Sequence, residues 1–270
     1  MSPALLCNRF LTWTRLVRVF VWRDLREQYA GTLFGGLWSL FLPLLQVAVY
    51  WWVFGFIWAL KVPIFGERGG ELPFIVFLLA GLLPWLAFQD AINKAAPAIL
   101  SRGDVLRHGA FPVGVFPVSR CLAAHLVFAG LLACFVLFVR PAVVLAEPLI
   151  VPAVIVLFVV QIVFACGLGV LLAALSVYIR DLPHVLSMIL LGVFFTAPIL
   201  YPLSQVPEAM REWLWLNPFA PFVLGYHALM LEGVLPETRV WLQAGVQAML
   251  ACGLGLFVFR RLRPGFADVV

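Results

Sequence analysis

Leu149–Ile179 reads LIVPAVIVLFVVQIVFACGLGVLLAALSVYI, a run without one charged side chain. As a straight helix it would extend about 46 Å, against a bilayer hydrocarbon core of about 30 Å. It therefore crosses with tilt or protrudes. Working outward, the same character recurs. Gln28–Leu60 is equally free of charge, with Gly31, Gly35 and Gly36 marking a bend at its start. The apolar runs predict six transmembrane helices over 33–60, 73–93, 121–139, 149–179, 184–201 and 240–259. Gly81 and Pro84 interrupt the second, which a bundle tolerates when neighbours satisfy the freed carbonyls. The fold class is an all-α integral membrane protein.

The bulk composition agrees. Apolar residues make up 64% of the chain and charged residues 11%, less than half of the ~25% usual in a soluble domain. A net charge of +5 would suggest nucleic acid for a soluble protein. Here it reflects arginines at the ends of spans, and no nucleic-acid partner is expected. The five cysteines, Cys7, Cys121, Cys134, Cys166 and Cys252, have no C-x-x-C spacing and an odd count, which argues against a disulfide framework or a zinc site. Met1–Phe10 lacks the short apolar core and small-residue end of a cleavable signal, so the N-terminus is expected to be retained.

Between the spans the polar residues are organised. Arg9–Tyr29 predicts a helix lying on the membrane surface. Phe10, Trp13, Val17, Phe20 and Val21 share one face, and Arg9, Arg15, Arg18, Arg23 and Arg26 occupy the other half. Asp24 falls inside the apolar arc, where it could pair with a neighbouring helix or sit at the edge. Asn93–Arg120 is a long polar excursion holding Lys94, Arg102, Asp104, Arg107, His108 and Arg120; Arg140–Pro148 and Arg180–Pro183 are short turns. Pro202–Thr238 is apolar in part but broken by Asn217-Pro218 and Pro221.

Charge decides how that last stretch is read. With six spans, the side of the N-terminus carries thirteen basic residues and the other side five, Lys61, Arg68, Arg140, Arg211 and Arg239. The positive-inside bias then puts both termini in the cytoplasm. A seventh span would export Arg260, Arg261 and Arg263. Residues 202–238 are therefore read as a re-entrant segment that dips into the outer leaflet and returns, which is tolerated beside protein or a water-filled conduit.

The chain has the bulk of a transporter and no engine. No Gly-Lys-Ser/Thr phosphate loop occurs; the only lysines, Lys61 and Lys94, follow Leu60 and Asn93. There is no H-E-x-x-H and no G-x-S-x-G, and His108, His125, His184 and His227 are dispersed. No catalytic residue and no metal site is assigned. Asp90 is the one acid well inside an apolar run, and Lys94 lies at helical spacing to pair with it. The aromatics are dense: Tyr50, Trp51 and Trp52 in the first span, Phe194, Phe195 and Tyr201 in the fifth, Trp213, Trp215, Phe219 and Phe222 in the re-entrant segment. Interface belts and lipid packing explain some of them. Others could line a path for sugars, whose apolar C–H faces lie flat on rings.

The segment Trp22–Leu40, WRDLREQYAGTLFGGLWSL, resembles the approach to the first span in ABC-2-type polysaccharide exporter permeases, the membrane subunits for O-antigen, capsule and teichoic acid export. The resemblance rests on an R-D-L group, a small residue, L-W and then Pro43. Ala80–Trp85, Phe116–Ser119, Arg180–Leu182, Asn217-Pro218 with Pro221, and Phe259–Leu262 match in the same order, so that nearly the whole chain is covered.

The resemblance implies an amphipathic interface helix over 1–32 and an ABC-2 transmembrane domain over 33–270, in the inner membrane. It implies a homodimer with two separate ABC ATPase subunits, lipid-linked polysaccharide as substrate, and contact with membrane lipids. ATP and Mg would sit on the ATPase subunits, with no cofactor on this chain. The ATPase contact maps to about residues 95–108, with Arg102, Asp104, Arg107 and His108 exposed. Arg15, Arg18, Arg23, Arg26 and Tyr29 are candidates for the lipid-pyrophosphate gate, since basic side chains near the surface attract anions. Tyr50, Trp51, Trp52, Phe194, Phe195, Tyr201, Trp213, Trp215 and Phe219 are candidates for the polysaccharide channel. Three alternatives stand beside this reading: an ABC-2 permease for a drug or small lipid, an intramembrane lipid-linked glycosyl or acyl transferase using Asp90, His125 or Asp181, and a non-catalytic scaffold.

Overall fold

The computed structural model of the chain describes residues 3–27, 38–57, 61–63, 71–102 and 112–266. Helix α1 covers Pro3–Glu27; α2 covers Trp38–Tyr50 and continues as a wider π-type turn, Trp51–Ile57. Strands β1 (Lys61–Pro63) and β2 (Glu71–Pro73) pair antiparallel with Val62 opposite Leu72, a small departure from an all-helical fold. Next come α3 (Phe74–Ala95), α4 (Val115–Cys134, with a π-type continuation Phe135–Val139) and the short α5 (Pro141–Ala146). They are followed by α6 (Ile150–Ser176), α7 (Leu182–Thr196), α8 (Glu208–Leu214), α9 (Ala220–His227, continued through Glu232) and α10 (Thr238–Leu262). The tail Gln28–Leu37 of the predicted bend, with Tyr29, and the predicted contact residues Asp104, Arg107 and His108 lie outside the described residues.

Among the described residues four helices are long and apolar enough to cross a membrane: Phe74–Ala95, Val115–Val139, Ile150–Ser176 and Thr238–Gly265. Phe41–Ile57 and Leu182–Thr196 are shorter apolar helices. Prolines set the boundaries that the apolar pattern misplaced. Helix α4 starts at Val115 rather than Cys121 because Pro117 falls in the first turn, where its missing N–H costs no hydrogen bond. Helix α7 stops at Thr196 rather than Tyr201 because Ala197 precedes Pro198 and is driven into extended backbone, φ −82° and ψ 145°. Gly233, at φ 71°, ends the continuation of α9 in the left-handed region.

Successive helices alternate in direction. One end of the bundle, the hairpin end, holds Phe74, Val139, Ile150 and Thr238, whereas α7 ends nearer mid-depth, with Thr196 tied to Asn217 next to the Phe219–Trp85–Phe88 cluster. The other, the α1 end, holds Ala95, Val115, Ser176, Leu182 and Leu262. There Tyr178 donates its hydroxyl to the Leu262 carbonyl at 2.9 Å, and a small second core gathers Ile99, Val113, Phe116, Val177, Phe259 and Phe266. Helix α3 is the hub of the main core: Leu78, Leu82, Trp85, Phe88 and Ile92 are fully enclosed by α4, α6, α7 and α9.

Two devices fix the interior. Helices α6 and α10 form the most extensive helix pair, along a seam of small residues that includes Gly167, Ala244, Ala248, Ala251 and Gly255. Their backbones approach so closely that a Cβ on Gly167 would lie 2.5 Å from the Cys252 nitrogen. Small residues are how helices associate where lipid supplies no hydrophobic drive. The second device is a completed polar knot. Gln161 Nε2 donates to the Pro84 carbonyl at 2.9 Å and to His125 Nε2 at 3.4 Å, and Tyr226 O–H donates to Gln161 Oε1 at 3.0 Å. His125 Nδ1–H donates to Cys121 O at 2.8 Å, which leaves Nε2 as the acceptor. The knot ties α3, α4, α6 and α9 together where unpaired polar groups would be costly.

Candidate functional site

Two regions carry the residues that the sequence singles out. Beside the end of α7, that helix and residues 201–218 enclose a groove of about 1,010 Å³ walled by Phe195, Thr196, Tyr201, Met210, Trp213, Leu216 and Asn217. Three of the predicted channel aromatics, Phe195, Tyr201 and Trp213, thus meet in one place. Phe195 is 55% exposed and Trp213 70% exposed. The Tyr201 hydroxyl donates to the carbonyls of Phe195 and Thr196, at 3.3 and 3.1 Å.

Asn217 builds the groove floor. Its Nδ2 donates to Val193 O at 2.8 Å and Thr196 Oγ1 at 2.7 Å. Its Oδ1 accepts from the N–H groups of Phe219 and Ala220, at 2.8 and 3.2 Å. One amide therefore caps the start of α9 and pins it to the end of α7, with Pro221 in the first turn of α9 where proline is tolerated. That is the physical content of the Asn217-Pro218…Pro221 pattern.

Trp215 opens on a neighbouring cavity of about 560 Å³ with Arg211, His227 and Glu232. The Arg239 guanidinium lies 4.2 Å from the Trp215 ring centre and pairs with Glu212 at 2.8 Å. That hydrogen bond holds the Glu212 carboxyl below its usual value.

The remaining aromatics separate. Phe194 and Phe219 are core residues, a correction to their place among channel candidates: Phe219, at 0% exposure, packs on Trp85, Phe88 and Phe222, and Phe194 on Trp85. Adjacent positions on a helix point about 100° apart, enough on α7 to leave Phe195 exposed where Phe194 is buried. Tyr50 is half-buried and stacks on Phe194 at 5.8 Å, whereas Trp51 and Trp52 are exposed on α2.

At the α1 end the amphipathic reading of Arg9–Tyr29 meets the helix Pro3–Glu27, which packs on α4. Arg15, Arg18 and Arg26 are exposed, while Arg23 is half-buried with its guanidinium 4.2 Å from the Phe20 ring centre. The irregular Asp24 proves to be the centre of a cluster. It is 4% exposed. Ser119 Oγ donates to its Oδ2 at 3.1 Å, Arg120 Nε stands 3.4 Å from the same oxygen, and Arg102 Nη2 stands 3.9 Å from Oδ1. Arg102 also approaches Glu27 at 3.6 Å, and Arg23 approaches Glu27 at 3.5 Å. Of the predicted ATPase-contact residues, Arg102 is the one described, and it faces α1. Asp90 and Lys94 pair one turn apart on α3.

A family model described as ABC-2 type transporter matches residues 15–231. The chain is 30% identical over 261 residues to the O-antigen export system permease protein RfbA of Myxococcus xanthus, covering 93% of each chain. It is 25% identical over 260 residues to the protein of that name from Klebsiella pneumoniae, covering 94% of this chain and 95% of the relative. It is also similar to the polysialic acid transport protein KpsM of Escherichia coli, at 21% identity over 239 residues, 88% of this chain and 90% of the relative.

Proposed function

The chain belongs to the ABC-2 type transporter family, and on that premise we propose that it is the membrane permease subunit of an ATP-driven exporter of lipid-linked polysaccharide, O-antigen in type before capsule. The observation that carries the proposal is the near-full-length likeness to permeases named for O-antigen export. The absence of any phosphate loop in the sequence supports a subunit driven by separate ATPases.

The finer architecture follows the same logic. The four long and two shorter apolar helices among the described residues serve as the six spans, with α8 and α9 as the re-entrant segment. The excess of basic residues at the α1 end sets that end, and both termini, on the cytoplasmic side of the inner membrane. Exposed apolar faces on α2 (Phe41, Leu45, Trp52, Phe56) and α7 (Val185, Met188, Ile189) suit a second copy, so that a homodimer encloses the path. The groove of Phe195, Tyr201 and Trp213 then lies at the exit. Rings and a few hydroxyls there give a sliding sugar chain loose, repeated contact. The segment around Arg102 takes the stroke of two ATPases, which carry the ATP and Mg. Arg15, Arg18 and Arg26 lie ready for the lipid pyrophosphate at the membrane surface.

The test is reconstitution. Vesicles holding the chain together with its ATPase subunits should move polymer when ATP is supplied, and vesicles holding the chain alone should neither hydrolyse ATP nor move polymer. Intrinsic ATP turnover by the isolated chain, or export that survives inactivation of the ATPase subunits, would refute the proposal.

A further inference from the structure

The buried charge at the α1 end is arranged as a linkage between segments far apart in the chain. Asp24 sits on α1. Its partners flank residues 103–111: Arg102 comes before them, and Ser119 and Arg120 come after. A single carboxylate therefore touches the surface helix, the last turn before that excursion and the start of α4. A carboxylate at 4% exposure has lost most of its water. Ser119 gives it a hydrogen bond at Oδ2, while Arg120 and Arg102 stand at ion-pair distance and Oδ1 takes no hydrogen bond. Moving the two arginines away would leave a buried charge uncompensated, which opposes separation of the three segments. Glu27 is the contrasting member. It shares Arg102 but is 55% exposed, where solvent screening leaves a pair little strength.

Apolar packing holds α1 in place independently of that charge. Phe20 meets Phe116 edge-on at 5.3 Å, and Val17 is buried. Loss of the Asp24 charge thus leaves α1 docked and removes only the polar tie.

Resting on the assignment of the chain as a permease driven by docked ATPases, we propose that Asp24 is a positioning residue for export. It clamps the surface helix to both flanks of the excursion, so that a push delivered there carries α1, with Arg15, Arg18 and Arg26, as one body. The surface helix is on this account a driven part and not only a membrane anchor. Arg102 acts through Asp24, which explains why this arginine faces inward.

The readout is polymer moved per ATP hydrolysed by the permease co-purified with its ATPase subunits and reconstituted in vesicles. A merely structural ion pair would lower assembly, hydrolysis and export together and leave the ratio intact. Asp24→Asn should lower the ratio about tenfold, the upper range for a residue in a coupled network, with ATPase rate and subunit assembly within about twofold of the parent. Arg120→Gln should lower the ratio alone and add nothing on top of Asp24→Asn, since coupled partners do not add. Glu27→Gln should match the parent.

An unchanged ratio in Asp24→Asn, or additive losses in the double variant, overturns the linkage. So does a parallel fall of assembly, hydrolysis and export at constant ratio. Should Asp24→Asn fail to accumulate, Arg102→Lys and Arg120→Lys keep the charge, shorten the reach and are held to the same criterion. A parent complex that burns ATP and moves no polymer sinks the permease assignment itself, before any variant is compared, and takes the linkage with it.

Discussion

Replacing Gly255 by alanine puts the α6–α10 seam to the test. A Cβ there would lie 2.3 Å from the Gly167 carbonyl oxygen and 3.2 Å from its carbon. Ordinary contact begins at 3.4 Å, so the oxygen would have to withdraw by about 1 Å, the difference between the two distances. The obstructing atom is backbone and has no rotamer to escape into. Gly167 is itself pressed against the main chain of Ala251 and Cys252. Relief therefore requires α10 to lift off α6, which loosens Ala244, Ala248 and Ala251 as well.

Overpacking a tight core typically costs about 1–3 kcal/mol. A backbone clash shared along a whole seam belongs at the upper end, about 3 kcal/mol, because packing is the main source of helix affinity in lipid. The control sits two residues away. Gly253 is on the same helix with nothing within 4 Å of its added Cβ, so Gly253→Ala should be neutral or stabilising by up to about 1 kcal/mol through helix propensity. Reversible unfolding of the purified chain in mixed micelles, followed by helicity against denaturing-detergent fraction, measures the pair. Equal stability of the two variants would refute the close-approach account of the seam.

Three further outcomes follow from the same contacts. Phe219→Ala, deep in the Trp85–Phe88–Phe222 cluster, should lose about 3–5 kcal/mol in that assay, whereas exposed Trp213→Ala should change stability by less than about 0.5 kcal/mol and slow export. Gln161→Leu strands the Tyr226 hydroxyl and the His125 Nε2 acceptor, and should cost about 1–2 kcal/mol; no loss would show that the knot is not closed. The Glu212 carboxyl, held low by its hydrogen bond to Arg239, contributes stability above the ordinary glutamate value of 4.5, and this is lost as the pH falls through its depressed folded value. Arg239→Gln should flatten stability against pH across that interval, as unfolding at a series of acidic pH values would read.

What the sequence makes legible is what depends on local composition. The charge-free run 149–179 forms α6 over Ile150–Ser176, because length and polarity alone decide that a helix is needed there. Helix ends were less legible, since a proline counts differently in a first turn (Pro117) and after a last one (Pro198). The groove was half legible. Phe194 and Phe195 are the same residue side by side, and only the rotation of α7 against Trp85 puts one in the core and the other on the surface. Asp24 showed as an irregularity in the apolar arc of its helix. Its partners could not be named, because Ser119 lies 95 residues away and the contact exists only once α1 has docked on α4.

The way polar groups are used inside the bundle bears on the choice between transport and chemistry. A catalyst needs a group held ready but uncommitted. In the described core, His125 gives its Nδ1 proton to Cys121 O and its other nitrogen to Gln161, Tyr226 is spent on Gln161, and Asp90 is spent on Lys94. His227 has an unpartnered Nε2, but that atom is shut against Gly81, where even a Cβ would come within 2.9 Å. His125, Tyr226, Gln161, Asp90 and Lys94 thus close on one another and hold helices, whereas Asp24 Oδ1 and Gln247 Oε1 are buried without a hydrogen-bond partner. The same closure leaves little polar lining within the protomer for a hydrated sugar chain. A path of the proposed kind would run along the protomer surface, past the ring-lined groove beside the end of α7.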